Sequence, residues 1–223
     1  MLPQRLVDGY AAFLEDRFPQ VSERYRRLGE DGQSPKTMVI SCCDSRVSPE
    51  VIFDVGPGEF FIVRNVANLV PPYAPDGSQH GTSAALEFAV QALRVTDIVV
   101  LGHARCGGIR AAVAEDAEPL SPGDFIGKWM SMIAPAIDRV GPRGSRSMDD
   151  YLKALEHGSV VNSLANLRTF PCVRILEERG KLKLHGAFFG VATGVLSVLD
   201  EATGAFRPVM DGPGKVFSCA PVG

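Results

Sequence analysis

The sequence predicts an α/β fold, a mainly parallel β-sheet with a C-terminal antiparallel strand, flanked by helices. Three observations carry this reading. Apolar strand patterns alternate with helical ones, as in Met38 to Ile40, Thr82 to Leu93 and Asp97 to Gly102, and such repeats build parallel sheets with right-handed crossovers. Two of the strands stop abruptly in polar clusters, the pattern of an open sheet whose strand ends carry a site. Finally, 223 residues are enough for one sizeable core and short for two, so we expect a helical arm over 1–30 and one α/β domain over 31–223.

Taken in order, Leu6, Tyr10, Phe13, Leu14, Phe18, Val21 and Tyr25 recur at helical spacing between charges, so the arm reads as an amphipathic helix, broken near Pro19. Ser48 to Phe53 is a short helical turn, and Glu59 to Arg64, rich in β-branched and aromatic residues, is a second strand. Thr82 to Leu93 puts Leu86, Ala89, Val90 and Leu93 on one stripe and leads into the strand at Asp97. Helices are predicted over Ile109 to Ala117, Phe125 to Val140 with Pro135 inside it, and Met148 to Arg168, and another starts near Pro171, where proline suits a first turn. Leu182 to Phe189 and Gly194 to Leu199 finish the sheet as a hairpin across a Gly-bounded turn.

Charge and composition exclude several functions. With 23 Lys+Arg against 26 Asp+Glu the net charge is -3, so no basic field gathers nucleic acid or an anionic membrane. No apolar run approaches the roughly 20 residues that span a bilayer, and the N-terminus does not read as a signal peptide. Five cysteines are too few and too unevenly placed for a disulfide framework, and three fall in two polar clusters, which points to metal chemistry in the cytoplasm. Cys172 and Cys219 stand alone, and His80, His157 and His185 lie outside any metal spacing.

The first cluster ends the strand Met38-Val39-Ile40 in Ser41-Cys42-Cys43-Asp44-Ser45-Arg46, and the second ends Asp97 to Gly102 in His103-Ala104-Arg105-Cys106-Gly107-Gly108. Alternation along the strand places Cys42, Asp44 and Arg46 on one side and Cys43 on the other. One thiolate from the first cluster with His103 and Cys106 makes a set of two sulfurs and one imidazole, suited to zinc. Catalytic zinc keeps three protein ligands and an open fourth position, whereas structural zinc is closed by four. Cys42 is favoured over Cys43 as the first ligand. Cys106 sits at the start of a helix, where a thiolate is stabilised.

Cys42-x-Asp44-Ser45-Arg46 followed by His103-x-x-Cys106 resembles the zinc signature of the β-class carbonic anhydrases. The similarity extends to Gly32 to Lys36, Pro57 to Glu59, Val63 to Tyr73, Gly102 to Ile109 and Val161 to Leu167. The resemblance implies reversible hydration of CO2 to bicarbonate and a proton by zinc-bound hydroxide, with one Zn2+ per subunit, and an obligate homodimer or dimer of dimers built with the N-terminal arms. It gives Asp44 and Arg46 the task of orienting the nucleophile. It makes Gln33 a donor to substrate and Phe61, Val66, Phe88 and the N–H of Gly107 the substrate pocket, with Gln33, Phe61, Val66 and Phe88 reaching across a dimer interface. Phe88 stands where the plant-type subgroup often has Tyr, which removes a hydroxyl. By periodicity alone Phe61, Val66 and Phe88 would read as core, and Asp44 with Arg46 as a structural ion pair.

The resemblance also implies that a regulatory bicarbonate pocket, built in one bacterial subgroup from Trp, Arg and Tyr, is missing, because Val39 stands at the Trp position although Arg64 is present. In that subgroup the aspartate swings onto zinc; here the site is expected to stay open. Two other readings keep the same ligands: a relative that hydrolyses CS2 or COS, and a binding protein in which zinc is purely structural. Asp44, Arg46 and Gln33 speak against the second.

Overall fold

The computed structural model describes residues 1–114 and 118–210. Its centre is a six-stranded sheet in the order β2-β1-β3-β4-β5-β6, with β1 at Thr37–Cys42, β2 at Phe60–Asn65, β3 at Asp97–His103, β4 at Lys183–Phe189, β5 at Leu196–Asp200 and β6 at Ala205–Pro208. The first four strands run parallel, and β5 and β6 are antiparallel to their neighbours. The sequence accounts for one antiparallel strand and misses β6. Phe206 is the single residue of β6 that is not exposed, so no alternation marks that strand in the sequence.

The arm consists of α1 (Gln4–Ala12) and α2 (Phe18–Asp31), joined by a wide π turn at Phe13–Arg17. Pro19 lies in the first turn of α2, where its missing N–H is tolerated, so the interruption expected near it is the π turn that immediately precedes α2. No residue of the arm is buried. The arm is tied to the domain at the entry to β2, where Arg24 pairs with Glu59 at 3.0 Å.

After β1, α3 (Pro49–Ile52) is the predicted short turn, and α4 (Gly81–Glu87) continues through a π turn to Leu93 before β3. The helix after β3, α5, spans Gly107–Ala112 and stops short of the expected Ala117; residues 115–117 lie outside the described residues. The helix expected over 125–140 is divided into α6 (Phe125–Met130), a 3-10 turn and α7 (Ala134–Val140), because Pro135 is accepted only in the first turn of a new helix. Then α8 (Met148–Thr169) and α9 (Pro171–Glu178) follow where predicted. Cys219 lies outside the described residues.

One face of the sheet is deeply covered. Met38, Ile40, Ile98 and Val100 from the strands pack with Leu86, Val90, Val160, Leu164, Leu167 and Val173 from α4, the π turn, α8 and α9. Gly102 permits the closest approach, since a Cβ there would stand 2.6 Å from Val160 Cγ2 on α8. The opposite face is thin: Val39, Val47, Leu101 and Ala187 are buried, while Phe60, Ile62, Val99, Phe189 and Leu196 beside them are only partly so. Parallel sheets normally have both faces covered, and among the described residues one face is left partly open.

His157 of α8 is held between Phe188, 4.4 Å away, and Phe206, 4.2 Å away, and its Nε2 has no hydrogen-bond partner. Burial, with the charge of Lys153 adding to it, lowers its pKa to about 4. Between pH 4 and 6.5 the unfolded chain then binds a proton that the folded chain does not, so stability falls as pH drops through this window. Thermal melting at matched metal content should show a lower Tm at pH 4.5 than at pH 7, and His157→Phe should remove that part of the loss.

Candidate metal centre

Cys42 is the last residue of β1 and His103 the last of β3. These strands are adjacent and parallel, and their pairing runs out at Ser41 opposite Leu101. Alternation would send Cys42 to the face of Met38 and Ile40 and His103 to the opposite face, with Leu101. The ladder between β1 and β3 has ended before them, although Cys42 still pairs with Asn65 of β2 and His103 with Phe189 of β4, and the two side chains meet at this shared strand end. Cys106 joins them as the N-cap residue of α5. The Cys42 and Cys106 sulfurs and a ring nitrogen of His103 all lie within 4.8 Å of one another, and all three residues are buried. Cys43, just past the end of β1, is exposed and lies outside this cluster.

These residues fit a zinc ion. With Zn–S near 2.3 Å and Zn–N near 2.0–2.1 Å, ligand atoms around tetrahedral zinc stand about 3.5–3.8 Å apart, so a contraction of at most about 1.3 Å from the 4.8 Å limit closes the cluster. His103 Nδ1 lies 3.0 Å from the carbonyl oxygen of Ala104, to which it can donate. Its Nε2 is buried with no hydrogen-bond partner, leaving a lone pair for a metal, the usual pattern for ligating histidines. The Cys42 thiol is pulled down in pKa because Cys106 donates to it, helped by His103 and by the N–H groups of Asp44 and Ala67; the same bond, with burial, pushes Cys106 up, against the thiolate expected at a helix start. His103 is raised although burial opposes it, because the negative charges of Cys42 and Asp44 lie beside it.

Around the ligands lies a layer that fixes them. Ala67 N–H donates to Cys42 Sγ at 3.3 Å, and Ala67 and Asn68 reach this geometry with φ of 64° and 49°, a left-handed conformation that costs non-glycine residues energy. Asn65 clamps the same turn, accepting from Leu69 N–H at 2.9 Å and donating to the Leu69 carbonyl at 2.8 Å. Trp129 Nε1 donates to the Val66 carbonyl at 2.8 Å. Arg64 donates to the carbonyls of Cys42, Asp44 and Val47 at 2.9, 2.7 and 2.7 Å, stapling the loop after β1.

Asp44 lies beside the cluster, its Oδ2 4.0 Å from His103 Nε2. Its Oδ1 accepts from the Arg46 backbone N–H at 3.0 Å and from Arg46 Nε at 2.9 Å, and Oδ2 accepts from Arg46 Nη2 at 2.6 Å. These bonds hold the Asp44 carboxyl well below the usual carboxylate range. Arg46 is fixed in turn by the Arg105 carbonyl at 3.0 Å.

The remaining predicted residues divide. Val66 packs within the same chain against the cluster that contains Cys42 and Cys106, and a Cβ on Gly108 would meet its Cγ1 at 2.7 Å. Gly107 is exposed at the first position of α5. Phe61 and Phe88 pair with each other at 5.9 Å, in contact with the core under α4 in the case of Phe61, and Phe88 is 48% exposed. Gln33 is exposed. The cleft between Tyr73, His80, Glu87 and Phe170, about 640 Å³, includes none of the ligands.

Sequence reasoning missed Glu156. It is 5% exposed, and its Oε1 accepts from Cys106 N–H at 2.9 Å. Burial raises its pKa, and the N–H groups of Cys106 and Arg105, with the charges of His103 and Arg110, oppose that rise. A signal was there: Glu156 lies four residues after Leu152 and four before Val160, a charge on an apolar stripe.

The open parallel sheet with two thiols and an imidazole converging beyond its strand ends defines a zinc-dependent α/β enzyme. The carbonic anhydrase family profile matches residues 37–196. A carbonic anhydrase of Pseudomonas aeruginosa is 36% identical over 208 residues, covering 93% of this chain and 92% of that one. Among solved structures, the β-carbonic anhydrase CcaA superposes with a TM-score of 0.86 at 28% identity, covering 92% of this chain and 98% of that one. A tetrameric β-carbonic anhydrase of the ascomycete Sordaria macrospora gives 0.75 at 25% identity, covering 88% and 96%. The chain belongs to the carbonic anhydrase family, in its β class.

Replacing a ligand leaves two, which cannot hold the metal in a three-ligand site. Metal analysis of purified Cys42→Ala, His103→Ala and Cys106→Ala should find almost no zinc, while Cys43→Ala keeps a full equivalent. Full zinc in Cys42→Ala would move the assignment to Cys43.

Proposed function

We propose that this chain catalyses the reversible hydration of CO2 to bicarbonate and a proton, and that the residues around the metal centre divide the work as follows. The observation that carries the reading is the Asp44 and Arg46 pair set 4.0 Å from the free Nε2 of His103. Zinc in a three-ligand site supplies a hydroxide nucleophile by lowering the pKa of its water from 15.7 to about 7.

Asp44 orients that nucleophile. An ionised carboxylate offers about four lone-pair sites, and Arg46 fills three of them, two on Oδ1 and one on Oδ2. The site left over is on Oδ2, the oxygen nearer His103 Nε2, so Asp44 can accept one O–H there and nothing else. Arg46 keeps it ionised and stops it turning. A lone pair of the nucleophile then faces the substrate.

CO2 is small and apolar and gains negative charge on oxygen as it reacts, so its pocket needs hydrocarbon walls and a donor. Val66, already packed against the ligand cluster, supplies one wall, and the Gly107 N–H a donor. Phe61, Phe88 and Gln33 complete the pocket from a partner subunit in a homodimer or dimer of dimers. Support comes from the exposed apolar residues of the arm, Leu6, Val7, Tyr10 and Leu14, from the thinly covered sheet face, and from the tetrameric neighbour. A cytoplasmic location belongs to the same reading.

The site stays open at neutral pH. Val39 is fully buried and offers no donor, and Arg64 spends its Nε and Nη2 on three carbonyls, so neither is arranged to seat a regulatory bicarbonate.

Stopped-flow CO2 hydration on zinc-loaded protein tests the proposal, and an inert zinc-replete dimer would contradict it. Asp44→Asn must set an amide NH2 against Arg46 or against the nucleophile, so it should keep its zinc and lose about 100-fold or more in kcat. Wild-type rates in a zinc-replete Asp44→Asn protein would remove Asp44 from the mechanism.

A further inference from the structure

We propose that Glu156 is a positioning residue for the metal centre, and that it acts by holding the backbone of Cys106 from α8. Cys106 is the N-cap of α5, and no side chain of its own segment caps that end. In the common capping box a Glu or Gln at the third helical position reaches back to the N-cap N–H; here that position is Ile109, which is buried and apolar. Glu156, 50 residues further along the chain, makes that bond instead, at 2.9 Å. A capping bond that is usually local is therefore supplied by a different helix.

The position of Glu156 is itself over-determined. One turn along α8, Val160 lies against Gly102, where even a Cβ would not fit. Further on, Asn162 donates to the Met132 carbonyl at 3.0 Å and Asn166 to the Val70 carbonyl at 2.8 Å, and Ser163 donates to the Asn68 carbonyl at 3.1 Å. The helix is thus fastened to β3, to the turn that donates to Cys42, and at Glu156 to Cys106. All three metal ligands are referred to one rigid element. Burying a carboxylate is unfavourable unless it is paired or hydrogen-bonded, and its buried neighbours on α8, Leu152, Leu155, Ser159 and Val160, carry no charge. Holding Cys106 is what the buried carboxylate does there.

The inference rests on Cys106 being a ligand, which metal analysis of Cys106→Ala tests separately. Glu156→Asp keeps the charge and loses the reach; Glu156→Gln keeps the reach and an acceptor oxygen. Three quantities should be read: zinc affinity by chelator competition, the thiolate-to-cobalt charge-transfer band of the cobalt-substituted protein, and the Tm of the metal-free protein. Glu156→Asp should lose about 10- to 100-fold in zinc affinity and shift the cobalt band, with Glu156→Gln distinctly closer to wild type in both. Unchanged affinity and cobalt band in Glu156→Asp would overturn the proposal, even with a lowered Tm. So would a Glu156→Gln protein as impaired as Glu156→Asp, since reach with an acceptor oxygen would then not be what holds Cys106. Amide exchange in the wild type gives a test that needs no variant: a slow Cys106 N–H supports the bond, and one exchanging as freely as an exposed loop amide overturns it.

Discussion

The structure depends on the parallel pairing of β1 with β3. That register, ending at Ser41 opposite Leu101, puts Cys42 and His103 side by side just past the β1–β3 ladder, each still held by its outer neighbour, Cys42 by Asn65 of β2 and His103 by Phe189 of β4. A one-residue slip would send the apolar residues of β1 to the wrong faces and carry Cys42 away from His103. Burial of Met38 and Ile40 on one side and Val39 on the other fixes the register, so the core and the metal centre are specified by the same residues.

Beyond the ladder, backbone geometry takes over. The turn at Ala67 and Asn68 is left-handed without glycine, and Asn65, Ser163 and Trp129 pin it by side-chain hydrogen bonds. Conformations of this kind persist only where the surroundings over-determine them. The reward is a backbone N–H aimed at Cys42 Sγ. On the other side of the cluster Arg105, also left-handed with φ of 58°, turns its carbonyl to Arg46. Two strained turns thus set the sulfur ligand and the carboxylate partner.

Much of this was legible in the sequence. Strand endings in Cys42 and His103 and the Asp44 and Arg46 pair follow from alternation and residue chemistry, because strand ends leave few choices. What was not legible was tertiary. β6 has one inward residue, Phe206, and no pattern of its own. The interruptions near Pro19 and Pro135 could be suspected but not located, since each proline is taken up in the first turn of the helix that follows. Glu156 interacts with a residue 50 positions away, a distance that no local periodicity reports. The proposed place of Phe61, Phe88 and Gln33 in the site depends on a second copy, which the pattern of one chain does not report.

The central claim is that three ligands hold the metal while Arg46 keeps Asp44 off it. A crystal structure of the zinc-loaded protein at neutral pH tests this most directly. The account predicts zinc on Cys42, His103 and Cys106, with both carboxylate oxygens of Asp44 still accepting from Arg46. An Asp44 oxygen bound to the zinc with Arg46 released, or Cys43 among the ligands, would contradict it.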